Sequence, residues 1–349
     1  MKKSNQLIII LIAGGMMFSH ACVKVPADVD FISPKASYSQ TTFEPVLGRT
    51  TLLPDDPTAN IFNADNSTSP LTFKILHMRG ASTGEAVDIF NKTFPVQVWK
   101  EAYTGLETTR EEVEKKRTIE QHHLFEVREH SGQFVMWRPM DLQYLNAIKM
   151  QPDPGYKFDV EVSNSGGSKI IRDMELKPMR PQPYAPSAID PVTGNSQGNI
   201  TPYLVSSVKV YNEDNYMSNG DVIVVFHKDP ASTGNTLTFE FRDSAYNPIN
   251  PKLFNSTRWE DILHHFGPAR FTPEAVTYDV AYPIPLAMRQ TRYTNASGTT
   301  ANVMFSYDRI ANGALRMTAL IGMNFAIYEP GDWKMVFWFY HKNPDFRDN

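Results

Sequence analysis

The sequence predicts a mainly β protein made of two β-sandwich domains, immunoglobulin-like or jelly-roll-like, with one short helix in the second. Short apolar/polar alternations recur along the chain with turn residues between them, the pattern of sandwich strands. Aromatic and proline residues are abundant, with 21 Phe, 15 Tyr and 25 Pro in 349 residues, which favours strands joined by Pro-broken loops. Lys177 to Asn199 holds five prolines and no apolar period, so the boundary between an N-terminal domain (31–195, with its Pro-rich linker) and a C-terminal domain (200–349) is placed there.

The elements follow in order. Leu71 to His77 alternates as a strand, and Phe94 to Trp99 repeats the pattern beyond the Gly80–Gly84 loop. Thr108 to Gln121 is highly charged and reads as a solvated helix or connector. Thr109 and Glu112 have capping-box spacing there, and Glu111–Lys115 and Glu112–Lys116 form helix-supporting pairs. Leu124 to Val127 with Gln133 to Trp137, and Tyr156 to Val162 with Lys169 to Leu176, are two hairpins. Tyr203 to Tyr211, Asp221 to His227 and Thr236 to Arg242 are strands. Thr257 to Phe266 reads as the one helix, with Thr257 and Glu260 as a capping box, Trp259, Ile262, Leu263 and Phe266 as its apolar face, and Gly267-Pro268 as its stop. Ala275 to Tyr282, Ala301 to Asp308, Leu315 to Ile321, Asn324 to Tyr328 and Trp333 to Tyr340 complete the strands. The last is apolar on both faces, as a central strand should be.

The start of the chain carries an address. Lys2 and Lys3 precede an apolar run from Leu7 to Phe18 that ends at Ser19-His20-Ala21-Cys22. A charged start, a short apolar core and small residues at the cut define an export signal over 1–21. The run is shorter than the roughly 20 residues that a bilayer span requires. Ala21-Cys22 resembles the lipobox of a bacterial lipoprotein, which implies acyl chains on Cys22, anchorage in outer-membrane lipid and a spacer over 22–30. Cys22 is the only cysteine, so the folded part is left without disulfides, thiol nucleophiles or thiolate metal sites. A formal net charge of -4 gives no electrostatic case for nucleic acid.

Catalytic signatures are missing: there is no Gly-rich phosphate loop, nucleophile elbow or zinc-binding His-Glu-x-x-His helix. His122-His123 and His264-His265 are adjacent pairs whose side chains diverge, so neither suits one metal. Asp55-Asp56 and Asn63 to Ser67, with Asp65, offer oxygen ligands but lack the spacing of a calcium loop, and read as turns. The expectation is a non-enzyme without cofactor or metal. Sugar binding asks for exposed aromatic faces, and Trp99, Trp137 and Trp333 are the candidates, at strand ends or beside a turn. Trp259 and Trp338 lie in apolar stripes and read as core.

The C-terminal third holds Tyr278-Asp-Val-Ala-Tyr-Pro-Ile-Pro-Leu286, Phe305-Ser-Tyr-Asp-Arg309 and Met323-Asn-Phe-Ala-Ile-Tyr-Glu-Pro-Gly-Asp-Trp333. With the signal, the spacer and the β-rich body, these stretches resemble an uncharacterised family of exported Bacteroidetes lipoproteins, a domain of unknown function spanning nearly the whole chain. The resemblance implies a role beside an outer-membrane importer and its nutrient-binding lipoprotein, in glycan capture, and it supplies no catalytic residue. The expected location is the outer membrane, at the cell surface, with the periplasmic face as the alternative. Asp243-Ser244-Ala245 resembles the O-glycosylation triplet of exported Bacteroidetes proteins, which makes Ser244 a candidate acceptor. Two other functions stay open: a scaffold that contacts only protein partners, and a divergent glycoside hydrolase built on a carboxylate pair.

Overall fold

The computed structural model describes residues 30–53 and 61–348. The expected export signal, Cys22, most of the expected spacer and Asp55-Asp56 lie outside the described residues. The fold is mainly β, with several sheets and two large hydrophobic cores.

The first core lies within residues 36–176. Its main sheet runs in the order Thr42–Phe43, Gly167–Leu176, Tyr156–Asn164, Thr72–Gly80. The predicted hairpin of Tyr156–Asn164 with Gly167–Leu176 forms as expected, because Phe158, Val160 and Val162 all face inward and are fully buried. A second layer contains Thr51–Leu53, Phe134–Met136 and Phe125–Val127. Phe134 meets Phe43 at 4.6 Å and Phe158 at 5.5 Å between ring centroids, and these contacts join the two layers. Asp65 belongs to a turn: its carboxylate accepts from the Ser33 hydroxyl, and its own N–H donates to Asn63 Oδ1.

A separate two-stranded ribbon pairs Thr93–Trp99 with Arg117–His123. The α-helix Arg110–Lys115 sits in its connection, capped by the Thr109 hydroxyl accepting from the Glu112 N–H. The Thr109 half of the predicted box therefore forms, while Glu112 returns its bond to the Thr108 N–H, one residue before the cap. The helix stops after six residues, and Lys116 turns away from Glu112 to bind Glu107.

The second core, within residues 200–339, is a sandwich. One sheet runs Val222–Lys228, Asp332–Phe339, Thr236–Arg242, Ala275–Asp279, Arg270–Phe271. The central position of Asp332–Phe339 agrees with its apolar sequence; it pairs antiparallel with Val222–Lys228 and parallel with Thr236–Arg242. Facing it, Leu315–Ile327 pairs with Ala301–Ala311 along one edge and with Leu204–Ser206 and Tyr184–Ala185 along the other. Phe239, Phe241 and Phe337 of the first layer meet Phe305 of the second at 4.9–5.2 Å, all edge-on, the geometry that aromatic quadrupoles favour.

Three expectations are corrected. Thr257 to Phe266 is not a helix; it contains a single 3-10 turn, Trp259–Asp261. The intended cap is engaged elsewhere: the Thr257 hydroxyl donates to the Ser306 carbonyl at 2.9 Å and accepts from the Ser306 N–H at 2.7 Å. Leu315 to Ile321 and Asn324 to Tyr328 are one strand, Leu315–Ile327, running through Gly322. Tyr203 to Tyr211 shrinks to Leu204–Ser206.

The Pro-rich stretch is held down along its length. Tyr184 stacks on Phe226 of the second core at 4.4 Å, and Met179 bridges to Val46. A small third cluster joins the ribbon to the second core through Tyr103, Val113, Ala281 and Leu286.

Candidate functional site

The three tryptophans singled out from sequence each contact other rings and not one another. Trp333 is 2% exposed, lies edge-on to Tyr184, and donates its indole N–H to the Glu329 carbonyl at 3.0 Å. It is a core residue and offers no face to a ligand, which corrects the expectation. Trp137 is half-buried, stacks on His122 at 4.4 Å and donates to Glu126 at 2.8 Å. Trp99 is half-buried between Tyr103 and the Arg117 guanidinium, which lies 4.4 Å from its ring centroid. Each of these two rings already has a partner on a face.

Trp338, read as core from sequence, is half-buried on the side of its strand that faces away from the core. In the strand Asp332–Phe339, the odd-numbered positions Trp333, Met335, Phe337 and Phe339 enter the core, so Lys334, Val336 and Trp338 point to the other side. Register places Trp338 between Ile223 and Arg242, and Val336 between Val225 and Glu240. The Asp243–Asn247 turn brings Tyr246 edge-on to Trp338 at 5.3 Å, and Tyr340 meets it edge-on at 4.5 Å. Tyr246 and Tyr340 are exposed, and His341 extends the row 4.1 Å from Tyr340. An aromatic platform is therefore built on the outer face of this sheet, exposed at Tyr246 and Tyr340, half-buried at Trp338 and closed over Val336. The parity with Lys334 is the sequence signal that places Trp338 on it.

Charge borders the platform. Glu240 accepts from Arg242 at 2.5 Å and pairs with Lys334 at 3.2 Å. Burial alone would raise its carboxyl, but these two cations hold it below the usual range. Arg242 also lies over the Tyr246 ring. Two donors here, the Trp338 indole N–H and the Arg242 Nε–H, are covered and have no acceptor among the described residues; each such group costs about 1–3 kcal/mol. Ser244, half-buried, sits in the same turn, its N–H bound to Asn343 Oδ1 at 2.7 Å.

Two concave features lie where the connection of the ribbon meets the second core. An enclosed cavity of about 20 Å³ is lined by Tyr103, His264, Tyr293 and Thr291 among others, room for about one water. His264 stacks on Tyr293 at 5.1 Å, donates from Nε2 to the Glu107 carbonyl at 2.7 Å, and accepts the Tyr103 hydroxyl at Nδ1. Burial pushes its pKa down. His265 points away, to the carbonyls of Gly267 and Glu260. The adjacent open depression, about 420 Å³, is lined by Glu101, Thr104, Leu106, Glu107, Glu112, Lys115 and Lys116.

Glu107 is the buried carboxylate of that region, and it has no proton to give at neutral pH. Burial pushes its pKa up, but Lys116 and the Thr104 N–H and hydroxyl overrule that and bring it to about 2. Its oxygens are occupied by Lys116 at 2.5 Å, Thr104 N and Oγ1 at 3.0 and 2.9 Å, and Gly105 N at 2.9 Å. Asp159, also buried, is engaged by His77, Arg79 and the Asp173 N–H, and its pKa is likewise lowered. General acid catalysis needs a carboxyl raised toward neutrality; these two are shifted the other way.

No curated protein and no solved structure matches the chain. A family described as a domain of unknown function, DUF5007, matches residues 62–348, which takes in the whole second core, most of the first and the aromatic platform. The chain belongs to that family.

Proposed function

We propose that the protein is a membrane-anchored, non-enzymatic lipoprotein that binds glycan at the outer membrane, as an accessory to a nutrient importer. The single observation that carries the binding half is the outward platform of Trp338, Tyr246 and Tyr340, bordered by Arg242, Glu240 and Lys334. Sugar rings bind by laying their C–H faces on aromatic rings while polar groups at the edge fix their hydroxyls, and the platform has both components. The anchor is supported by the Lys2-Lys3, Leu7–Phe18 and Cys22 pattern. The engaged state of Glu107 and Asp159 supports a binding role over hydrolysis.

The test is retention of the full chain on a panel of immobilised polysaccharides, beside a Trp338→Ala/Tyr246→Ala/Tyr340→Ala variant. Retention by the parent that falls at least about tenfold in the variant is the expected result. A parent that is retained on nothing ends the glycan reading.

One observation favours the scaffold reading. The ribbon of Thr93–Trp99 and Arg117–His123 has no further strand on either edge among the described residues, and Ile119 and Leu106 beside it are 55% and 75% exposed. Open edges with apolar side chains invite a protein partner. Ile119→Lys would then abolish co-purification with an outer-membrane partner without touching glycan retention.

A further inference from the structure

The opposite face of the same sandwich carries a second cluster, different in chemistry from the first. Tyr203 is 46% exposed, and its hydroxyl end lies across Gly322 of the Leu315–Ile327 strand. A Cβ at Gly322 would stand 2.7 Å from Tyr203 Cζ and 2.8 Å from its oxygen. Glycine inside a strand marks a close approach of another group, and here that group is an aromatic ring. The contact fixes the ring beneath and leaves its other side to solvent.

Two amides line its edge. Asn302 and Asn324 are opposite each other in register, and Asn302 Nδ2 donates to Asn324 Oδ1 at 2.7 Å and to the Tyr203 hydroxyl at 3.1 Å. Both hydrogens of Asn302 Nδ2 are thereby used. Asn302 Oδ1, the two hydrogens of Asn324 Nδ2 and the Tyr203 hydroxyl hydrogen remain, and no group among the described residues takes them up. One acceptor and several donors beside an open ring match vicinal hydroxyls on a sugar, each of which both gives and takes a hydrogen bond.

The charge pattern sets the class of sugar. In register, the rows around the ring are Asn302 with Asn324, Met304 with Gly322 and Leu204, and Ser306 with Leu320 and Ser206. None of these residues ionises. The first charged residue along the Ala301–Ala311 strand on this side is Asp308, which Thr318 and Arg316 already bind. The Trp338 platform, by contrast, is bordered by three charges.

We propose that Tyr203, Asn302 and Asn324 form a second saccharide subsite that takes one uncharged pyranose ring, so that the chain holds glycan on both faces of its C-terminal sandwich. The proposal rests on the glycan reading for its ligand class but not on the Trp338 platform for its place.

The test titrates the full chain with cellohexaose, maltohexaose and mannohexaose, and with polygalacturonate as a charged comparison. Four variants accompany the parent: Tyr203→Ala, Gly322→Ala, the Trp338/Tyr246/Tyr340 triple alanine, and the triple combined with Tyr203→Ala. The expected result is that the triple variant keeps saturable binding to a neutral hexasaccharide, and that adding Tyr203→Ala weakens it at least about tenfold. Gly322→Ala, whose new methyl displaces the ring, lowers affinity with Tyr203 still present. Tyr203 is exposed, so its loss leaves the core intact. A triple variant that binds nothing overturns the second subsite and leaves the proposed function standing. Tighter binding of polygalacturonate at the Tyr203-dependent site overturns the uncharged class. A parent that binds no oligosaccharide overturns both.

Discussion

Tyr103 and His264, 161 positions apart in the chain, share a hydrogen bond that ties the ribbon to the second core. The bond fixes a tautomer: His264 Nε2 carries the hydrogen for the Glu107 carbonyl, so Nδ1 must accept from Tyr103. A protonated imidazole would turn a second N–H toward the Tyr103 oxygen and break this arrangement.

The pH dependence follows with a definite sign. Burial holds the folded pKa of His264 below its ordinary value of about 6.5. As pH falls through that value the unfolded chain takes up the proton first, so the stabilisation is complete above about pH 6.5 and is lost below it. The urea midpoint should fall between pH 7.5 and 5.5, and His264→Gln should flatten that slope. An equally steep fall in the variant would place the titration elsewhere.

Glu107 acts in a lower window. Its folded pKa of about 2 lies below the ordinary 4.5, so its contribution, at most about 3 kcal/mol, is present above pH 4.5 and disappears as pH falls toward 2. Glu107→Gln should cost about 2–3 kcal/mol at pH 7 by denaturant unfolding. The gap to the parent should narrow below pH 4.5; a gap independent of pH would mean that shape, not charge, is at stake.

Thr257 tests the non-helical reading of its segment. Thr257→Val keeps the volume but removes both hydrogen bonds to Ser306, and should cost about 1–3 kcal/mol. Helical circular dichroism should not change. A loss of helical signal would restore the capping-box interpretation.

The two tryptophans of the last strand should separate cleanly. Trp333→Ala empties a core site that is 2% exposed and should cost about 3–5 kcal/mol. Trp338→Ala acts on the outward face and should cost less than about 2 kcal/mol, with its main effect on glycan retention. Equal costs would contradict the assigned faces.

What could be read in advance divides along physical lines. Thr236–Arg242 and the hairpin from Tyr156 to Leu176 were legible because alternation is local and one face is buried. Thr109 and Glu112 were legible because a cap and its helix lie within one turn. Thr257 carries the same motif, yet its hydroxyl is taken by Ser306, 49 residues away, and no local pattern records that competitor. Gly322 lies between the two strands expected at Leu315 to Ile321 and Asn324 to Tyr328, and the ring that needs its missing side chain, Tyr203, comes from a distant part of the chain. Trp338 was legible in principle through its parity with Lys334. The apolar character of Val336 concealed that parity. The Tyr203 cluster depends on a register between strands, which single-strand periodicity does not contain.

The central place of Asp332–Phe339 also fixes an order of events. Its parallel neighbour begins at Thr236, 96 residues before Asp332, and Val222–Lys228 comes earlier still. A chain emerging from its N-terminus presents both flanking strands long before the strand that must lie between them. In the native arrangement they are two strand spacings apart, about 10 Å, so any pairing between them in the meantime is non-native. The sheet closes only when its middle arrives, and until then each flank is a bare edge open to other chains. Nascent chains halted between Arg242 and Asp332 should therefore aggregate, not settle into a smaller version of the fold.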